Sequence, residues 1–216
     1  MEILLLILGV IQAYLIGSIP TAVWISKRFY GIDVRTQGSG NAGATNTIRV
    51  LGVKAGVPVL LFDVFKGWLA VHFSDYFVPG DFSVYQLAYY NIIASAAAVS
   101  GHVFPVFAGF KGGKGIATLL GVGIALYPAA SLTVFVIFVL VFVITRYVSL
   151  ASITGSVSFP FLVLFIFKPE SIPLILLAIA VGIFVPITHR KNIKRLLDCT
   201  ESRFSFKKKK PGEIKH

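Results

Sequence analysis

Cysteine occurs once in this chain, as Cys199, so an internal disulfide and a thiolate metal cluster are both excluded. Histidine is sparse too. His72, His102, His189 and His216 never fall into an HxxxH or HExxH spacing, and no metal site is expected. Acidic residues are few and scattered, nine against twenty Lys and Arg. The first 24 residues are apolar but have no basic n-region, and Glu2 is acidic. They are expected to remain as a first helix instead of being cleaved as a signal peptide. No internal repeat is visible, and between Lys114 and Arg146 there is no charge at all.

What the chain has in abundance is apolar sequence: 56% of residues are hydrophobic and the mean hydropathy is +0.84. Several stretches reach spanning length. They are continuous, not alternating, so they read as helices and the chain as an all-α polytopic membrane protein. A single integral membrane domain over residues 1–216 is expected, with a basic tail from about 189 to 216. The net charge of +11 fits the gathering of Lys and Arg in cytoplasmic loops.

Residues 3–25, 56–72 and 85–105 read as the first three spans, and 148–167 and 172–188 as the last two. The uncharged run Ile116–Thr145 is ~30 residues, or ~45 Å of helix, too long for one crossing of a ~30 Å hydrocarbon core. Pro128 lies inside it. A turn near Tyr127–Ala130 makes two helices of it and returns Arg146 to the side of Lys111 and Lys114. The positive-inside rule then gives seven transmembrane helices, the N-terminus outside and the C-terminus cytoplasmic. The weak point is residues 116–127, only ~18 Å of helix.

This topology gathers four polar segments on the cytoplasmic face. Gly38–Gly52, GSGNAGATNTIRVLG, reads as a glycine-rich loop. Ser39, Asn41, Thr45 and Asn46 offer neutral donors there, and Arg49 offers a guanidinium suited to phosphate. Gly101–Thr118 ends KGGKGIAT at a helix start, where free N–H groups beside Lys111 and Lys114 suit a phosphate. It is not a Walker A loop, since Gly115 follows Lys114. Thr145–Ser152 brings Arg146 and Ser149 to a helix junction. In His189–Ser202, His189 and Asn192 share a helical face among Arg190, Lys191, Lys194 and Arg195. Each segment has a plainer reading, as a flexible loop, a basic turn or a helix lying on anionic lipid. Asp63 and Lys66, three apart in an apolar helix, read as a structural ion pair, and His102 as a structural histidine.

In this order the segments resemble the bacterial acyl-phosphate:glycerol-3-phosphate acyltransferases, the PlsY family. GSGNAGATNTIR is similar to that family's first motif, GHVFPVFAGFKGGKGIAT to its second, and HRKNIKRL through Glu201 to its third. TRYVSLAS and the Asp63–Gly67 segment also resemble it, so the likeness covers nearly the whole chain. Many members have glycine where Cys199 stands. The resemblance implies transfer of a fatty acyl group from acyl phosphate to the 1-hydroxyl of sn-glycerol 3-phosphate, giving lysophosphatidic acid and phosphate. This is the first acylation of bacterial phospholipid synthesis, at the inner membrane with the site facing the cytoplasm.

By motif, the resemblance implies that Ser39 and Arg49 work together, as do His189 and Asn192. Gly112, Gly113, Lys114 and Gly115, with Lys111 alongside, become the phosphate loop, and Glu201 is chiefly structural. The partners implied are acyl phosphate, glycerol 3-phosphate and membrane lipid, with no cofactor, no nucleic acid and no obligate protein partner. Direct attack on the acyl phosphate, without an acyl-enzyme, is favoured. Either His189 or a substrate phosphate oxygen takes the proton. No HxxxxD motif is present. Two other classes remain as alternatives. An organic-phosphate transporter calls for internal repeats, and a CDP-alcohol phosphotransferase for clustered aspartates.

Overall fold

The computed structural model describes residues 1–169 and 171–205. Glu170, the Lys207–Lys210 run and His216 lie outside the described residues. Among these, all regular structure is helical: α1 Glu2–Gly17, α2 Thr21–Tyr30, α3 Ala44–Leu51, α4 Val53–Ser74, α5 Val84–Val103, α6 Ile116–Leu126, α7 Pro128–Thr145, α8 Val148–Phe161, α9 Ile172–Thr188 and α10 Arg190–Leu197. α8 runs on as a π-helical stretch, Leu162–Phe167, beyond Pro160.

Among the described residues, five helical stretches are long and apolar enough to cross a bilayer: Glu2–Tyr30, Val53–Phe77, Val84–Ala108, Pro128–Thr145 and Val148–Phe167. α9 with α10, bent by 61°, makes a sixth if taken as one span. α6 is apolar but only 11 residues long. The long uncharged run is therefore divided at Tyr127, as its length required, while the count by length stands at five or six against the seven expected.

The interior is built on small residues. Ala13 of α1 packs with Ala94 and Ala98 of α5, and Gly101 lies against the backbone of Tyr14. This is the close approach that the stretch Asn91–Gly101 favours. α4 and α6 meet in the same way. Gly67 faces the Thr118 carbonyl, and Gly121 faces Val64. α5 starts at a capping box, Ser83 with Gln86.

Two local expectations change. The first span is not one straight helix to residue 25: it breaks at Ser18–Pro20 and continues to Tyr30. Pro20 lacks the N–H that a helix interior requires. The Gly38–Gly52 loop also contains a helix, α3, whose Ile48 packs against Gly56 of α4.

Candidate active site

The loop before α3 is built around Asn46. Its Oδ1 accepts the Ser39 N–H (2.8 Å), and its Nδ2 donates to the carbonyls of Val34 (2.9 Å) and Gln37 (3.0 Å). Gly38 has φ +61°, and a β-carbon there would run into the Asn46 side chain. Asn46 is 1% exposed and lines the cavity described below, and these three bonds use it to hold Ser39 in place. Arg35 joins this loop to the glycine-lysine loop. It pairs with Asp33 (2.7 Å) and donates to the carbonyls of Ala108 (2.7 Å) and Lys111 (3.2 Å). The Arg35 hydrogen bond holds the Asp33 carboxyl well below the usual range.

In the glycine-lysine loop the Gly112 N–H donates to Val103 O (3.1 Å) and the Gly113 N–H to His102 O (3.2 Å). β-carbons at these glycines would collide with His102 and the end of α5. The two glycines are therefore required by packing, and their N–H groups are not free for an anion as expected. The free donors start later. Gly115, with φ +82°, is the N-cap of α6, and the N–H groups of the first turn have no acceptor inside the helix.

The third cluster depends on a turn. α10 ends with Cys199 in the left-handed conformation (φ 54°). The Cys199 N–H donates to Leu196 O (3.2 Å) and the Thr200 N–H to Arg195 O (2.8 Å), the two bonds of a Schellman motif. The chain reverses, and Glu201 comes back over the helix it has just left. Its Oε1 accepts from Asn192 Nδ2 (2.7 Å) and Ser149 Oγ (2.8 Å), and its Oε2 from Arg195 Nε (2.6 Å). Burial alone would raise the Glu201 pKa. The three hydrogen bonds outweigh it and hold the group ionised below its ordinary value.

Asn192, turned by Glu201, accepts from Lys114 Nζ through its Oδ1. That bond ties the second segment to the last. Burial lowers Lys114 to about 8, with Arg195 and Arg49 acting the same way against Glu201. Arg49 is also pushed down by burial. His189, 3% exposed, sits between α9 and α10 with Nδ1 2.9 Å from the Val185 carbonyl. A carbonyl only accepts, so Nδ1 carries the proton and the lone pair is on Nε2.

These groups share one cavity of about 1410 Å³. Its polar mouth is lined by Ser39, Asn41, Thr45, Arg49, Lys114, Gly115, Ser149, His189, Asn192, Arg195 and Glu201. From there an apolar arm, lined by residues of α4, α6, α7, α8 and α9, runs to Tyr127 and Ser131. Lys111 and Arg146, both expected at the site, are exposed and outside the lining. Each contributes backbone instead: the Arg146 carbonyl accepts the Phe204 N–H (2.7 Å). A cationic residue type does not say which way a loop faces. Arg195, by contrast, reaches the site beside Asn192. Its i+3 spacing on the same helix face was the available signal.

A bundle of bilayer-length helices, with a cationic mouth opening on a long apolar arm, defines an integral membrane protein suited to an anionic amphiphile. The chain belongs to the glycerol-3-phosphate acyltransferase family, whose model matches residues 7–199. It is 43% identical over 198 residues to the glycerol-3-phosphate acyltransferase of Fusobacterium nucleatum, covering 91% of this chain and 97% of that one. With the enzyme of Enterococcus faecalis the identity is 44% over 217 residues, covering 95% and 94%. Two solved structures share the fold at 38% identity, covering 93% of this chain and 96% of theirs. Both are PlsY, an integral membrane glycerol 3-phosphate acyltransferase: the glycerol 3-phosphate form, with TM-score 0.82, and the lysophosphatidic acid form, with 0.79.

Proposed function

We propose that this acyltransferase uses acyl phosphate as donor and the 1-hydroxyl of sn-glycerol 3-phosphate as acceptor. The observation that carries the reading is the joining of the cationic mouth to the apolar arm. The arm takes a fatty acyl chain while Arg49, Lys114 and Arg195 face phosphate. Both substrates are phosphate esters or anhydrides, so one charged mouth serves two anions. The relatives solved with glycerol 3-phosphate and lysophosphatidic acid support the acceptor and the product.

The reaction is a direct transfer. The acceptor oxygen attacks the carbonyl carbon of the mixed anhydride, the carbon–oxygen bond to phosphate breaks, and phosphate leaves. The hydroxyl proton passes to His189 Nε2, whose lone pair is fixed by the Nδ1–Val185 bond, or to a substrate phosphate oxygen. Asn192 and Ser149, set by Glu201, hold the mouth in register. Ser39 and Arg49 approach from the first segment. Phosphate is a good leaving group, so the transfer as written balances without a cofactor.

The enzyme sits in the bacterial inner membrane with seven crossings, α6 being the short one, the N-terminus outside and the mouth and C-terminus cytoplasmic. The division of the uncharged run at Tyr127 supports this arrangement.

Purified protein given acyl phosphate and glycerol 3-phosphate should release lysophosphatidic acid and phosphate one for one. A strict requirement for acyl-CoA refutes the donor. His189→Ala should lower kcat by ~10²–10⁴ if the imidazole is the base. Substantial rescue by His189→Gln assigns the proton to the substrate phosphate instead.

A further inference from the structure

Beneath the mouth lies a buried polar group that the reaction as written does not use. Asp63 and Lys66 of α4 pair at 2.7 Å with side chains 2% and 6% exposed. Thr21 Oγ1 donates to Asp63 Oδ1 (3.2 Å), and Lys66 Nζ donates to the Ile19 carbonyl (2.8 Å), where the first span breaks. The same Asp63 oxygen is 3.7 Å from Nδ1 of His102. That nitrogen is buried, aimed at a carboxylate, and has no hydrogen-bond partner.

The other edge of the imidazole faces the glycine-lysine loop. A β-carbon on Gly113 would overlap His102 Nε2 and lie 2.9 Å from the Ala42 carbonyl. The His102 carbonyl accepts the Gly113 N–H, and the next carbonyl, Val103, accepts the Gly112 N–H. One residue thus meets the loop through both ring and backbone, a single step before Lys114. Asp63, His102, Gly113 and Lys114 all line the catalytic cavity.

A buried ion pair inside a bilayer-length helix is expensive, and apolar residues of the same volume fill space as well or better. Filling space therefore does not account for it. We propose that His102 is a positioning residue. Backed by the Asp63–Lys66 pair, its imidazole sets the Gly113–Lys114 peptide and so places the Lys114 ammonium against Asn192 and the substrate phosphate. This rests on the acyl-transfer reading above and adds a role for groups that take no part in the chemistry.

The experiment is a double-mutant cycle on the full-length protein in lipid nanodiscs, with acyl phosphate and glycerol 3-phosphate as substrates. The wild type is assayed first. Absence of transfer there refutes the function, whereas an active wild type leaves the cycle to judge His102 alone. His102→Phe keeps the ring's bulk and removes its nitrogens. It should raise KM for one phosphate substrate about tenfold or more, with kcat within about threefold of wild type. In a Lys114→Ala background the same change should alter KM by less than about twofold. His102→Gln, which keeps a polar group between Asp63 and Gly113, should recover most of the lost affinity. A structural role would lower thermal stability equally but multiply through both backgrounds. Equal factors in the two backgrounds, or an unchanged KM in folded His102→Phe, overturn the proposal. Where His102→Phe does not fold, Asp63→Asn with Lys66→Met replaces it in the cycle, and the same two outcomes decide.

Discussion

Three side chains from two helices converge on Glu201, and the chain returns to them because Cys199 accepts a left-handed backbone. For a residue with a β-carbon that conformation costs roughly 1–2 kcal/mol. Lys114 shows a different compromise, between charge and burial. With its pKa lowered to about 8 in the free protein, its ammonium is present below that pH and lost above it. If Lys114 binds a substrate phosphate as proposed, kcat/KM for that substrate should fall as pH rises through about 8, and Lys114→Met should flatten that limb. The stability sign is opposite. Between about 8 and the ordinary lysine range the unfolded chain holds the extra proton, so the fold gains stability as pH rises. The Tm difference between wild type and Lys114→Met should shift in favour of wild type over that window. The His189–Asn192 pair was legible from its three-residue spacing. Asn46 was not, because its role depends on carbonyls up to twelve residues away that a loop must first bring round it.

α6 and α7 line the cavity together with α4, α8 and α9. α6 and α7 meet near Tyr127, where Gly123 faces Ser131, at the far end of the apolar arm. Their division was readable because ~30 uncharged residues exceed one crossing and Pro128 offers a first-turn position for a new helix. The break at Ser18–Pro20 carries a signal of the same kind, Pro20 between Ser18 and Thr21, but the apolar residues on either side read as one continuous span. α3 was hidden by its glycine-rich approach and becomes visible only against α4. What keeps α6 in place is the glycine contact with α4. Gly67→Leu drives a side chain into the Thr118 carbonyl and should destabilise by roughly 1–3 kcal/mol, read as a lower Tm. Gly80→Leu, in open space, should leave Tm within about a degree or two, as surface changes do.

Across the whole molecule, the distribution of charge is the basis of the proposed topology. Lys111, Lys114, Arg49 and the α10 cations come to one end of the bundle once the long run is split, and this end holds the mouth. The orientation is open to direct measurement. With Cys199 replaced by Ala, the chain has no native thiol. A cysteine at Ala129, exposed beside the α6–α7 turn, should react with an impermeant maleimide added outside intact cells. One at Arg146 should react only after permeabilisation. Labelling of Arg146→Cys from outside would refute the seven-crossing arrangement.

The apolar arm is also not closed to its surroundings. Among its lining residues are Leu61, Phe65 and Phe135, 62%, 50% and 45% exposed on the lipid-facing surface. A donor already dissolved in the leaflet can therefore slide in sideways, and the product can leave by the same lateral path without entering water. For such an enzyme the governing quantity for the acyl substrate is its mole fraction in the two-dimensional membrane, not moles per litre. For the proposed donor, dilution with inert lipid should slow the reaction while the bulk concentration stays the same. The water-soluble acceptor keeps ordinary three-dimensional saturation.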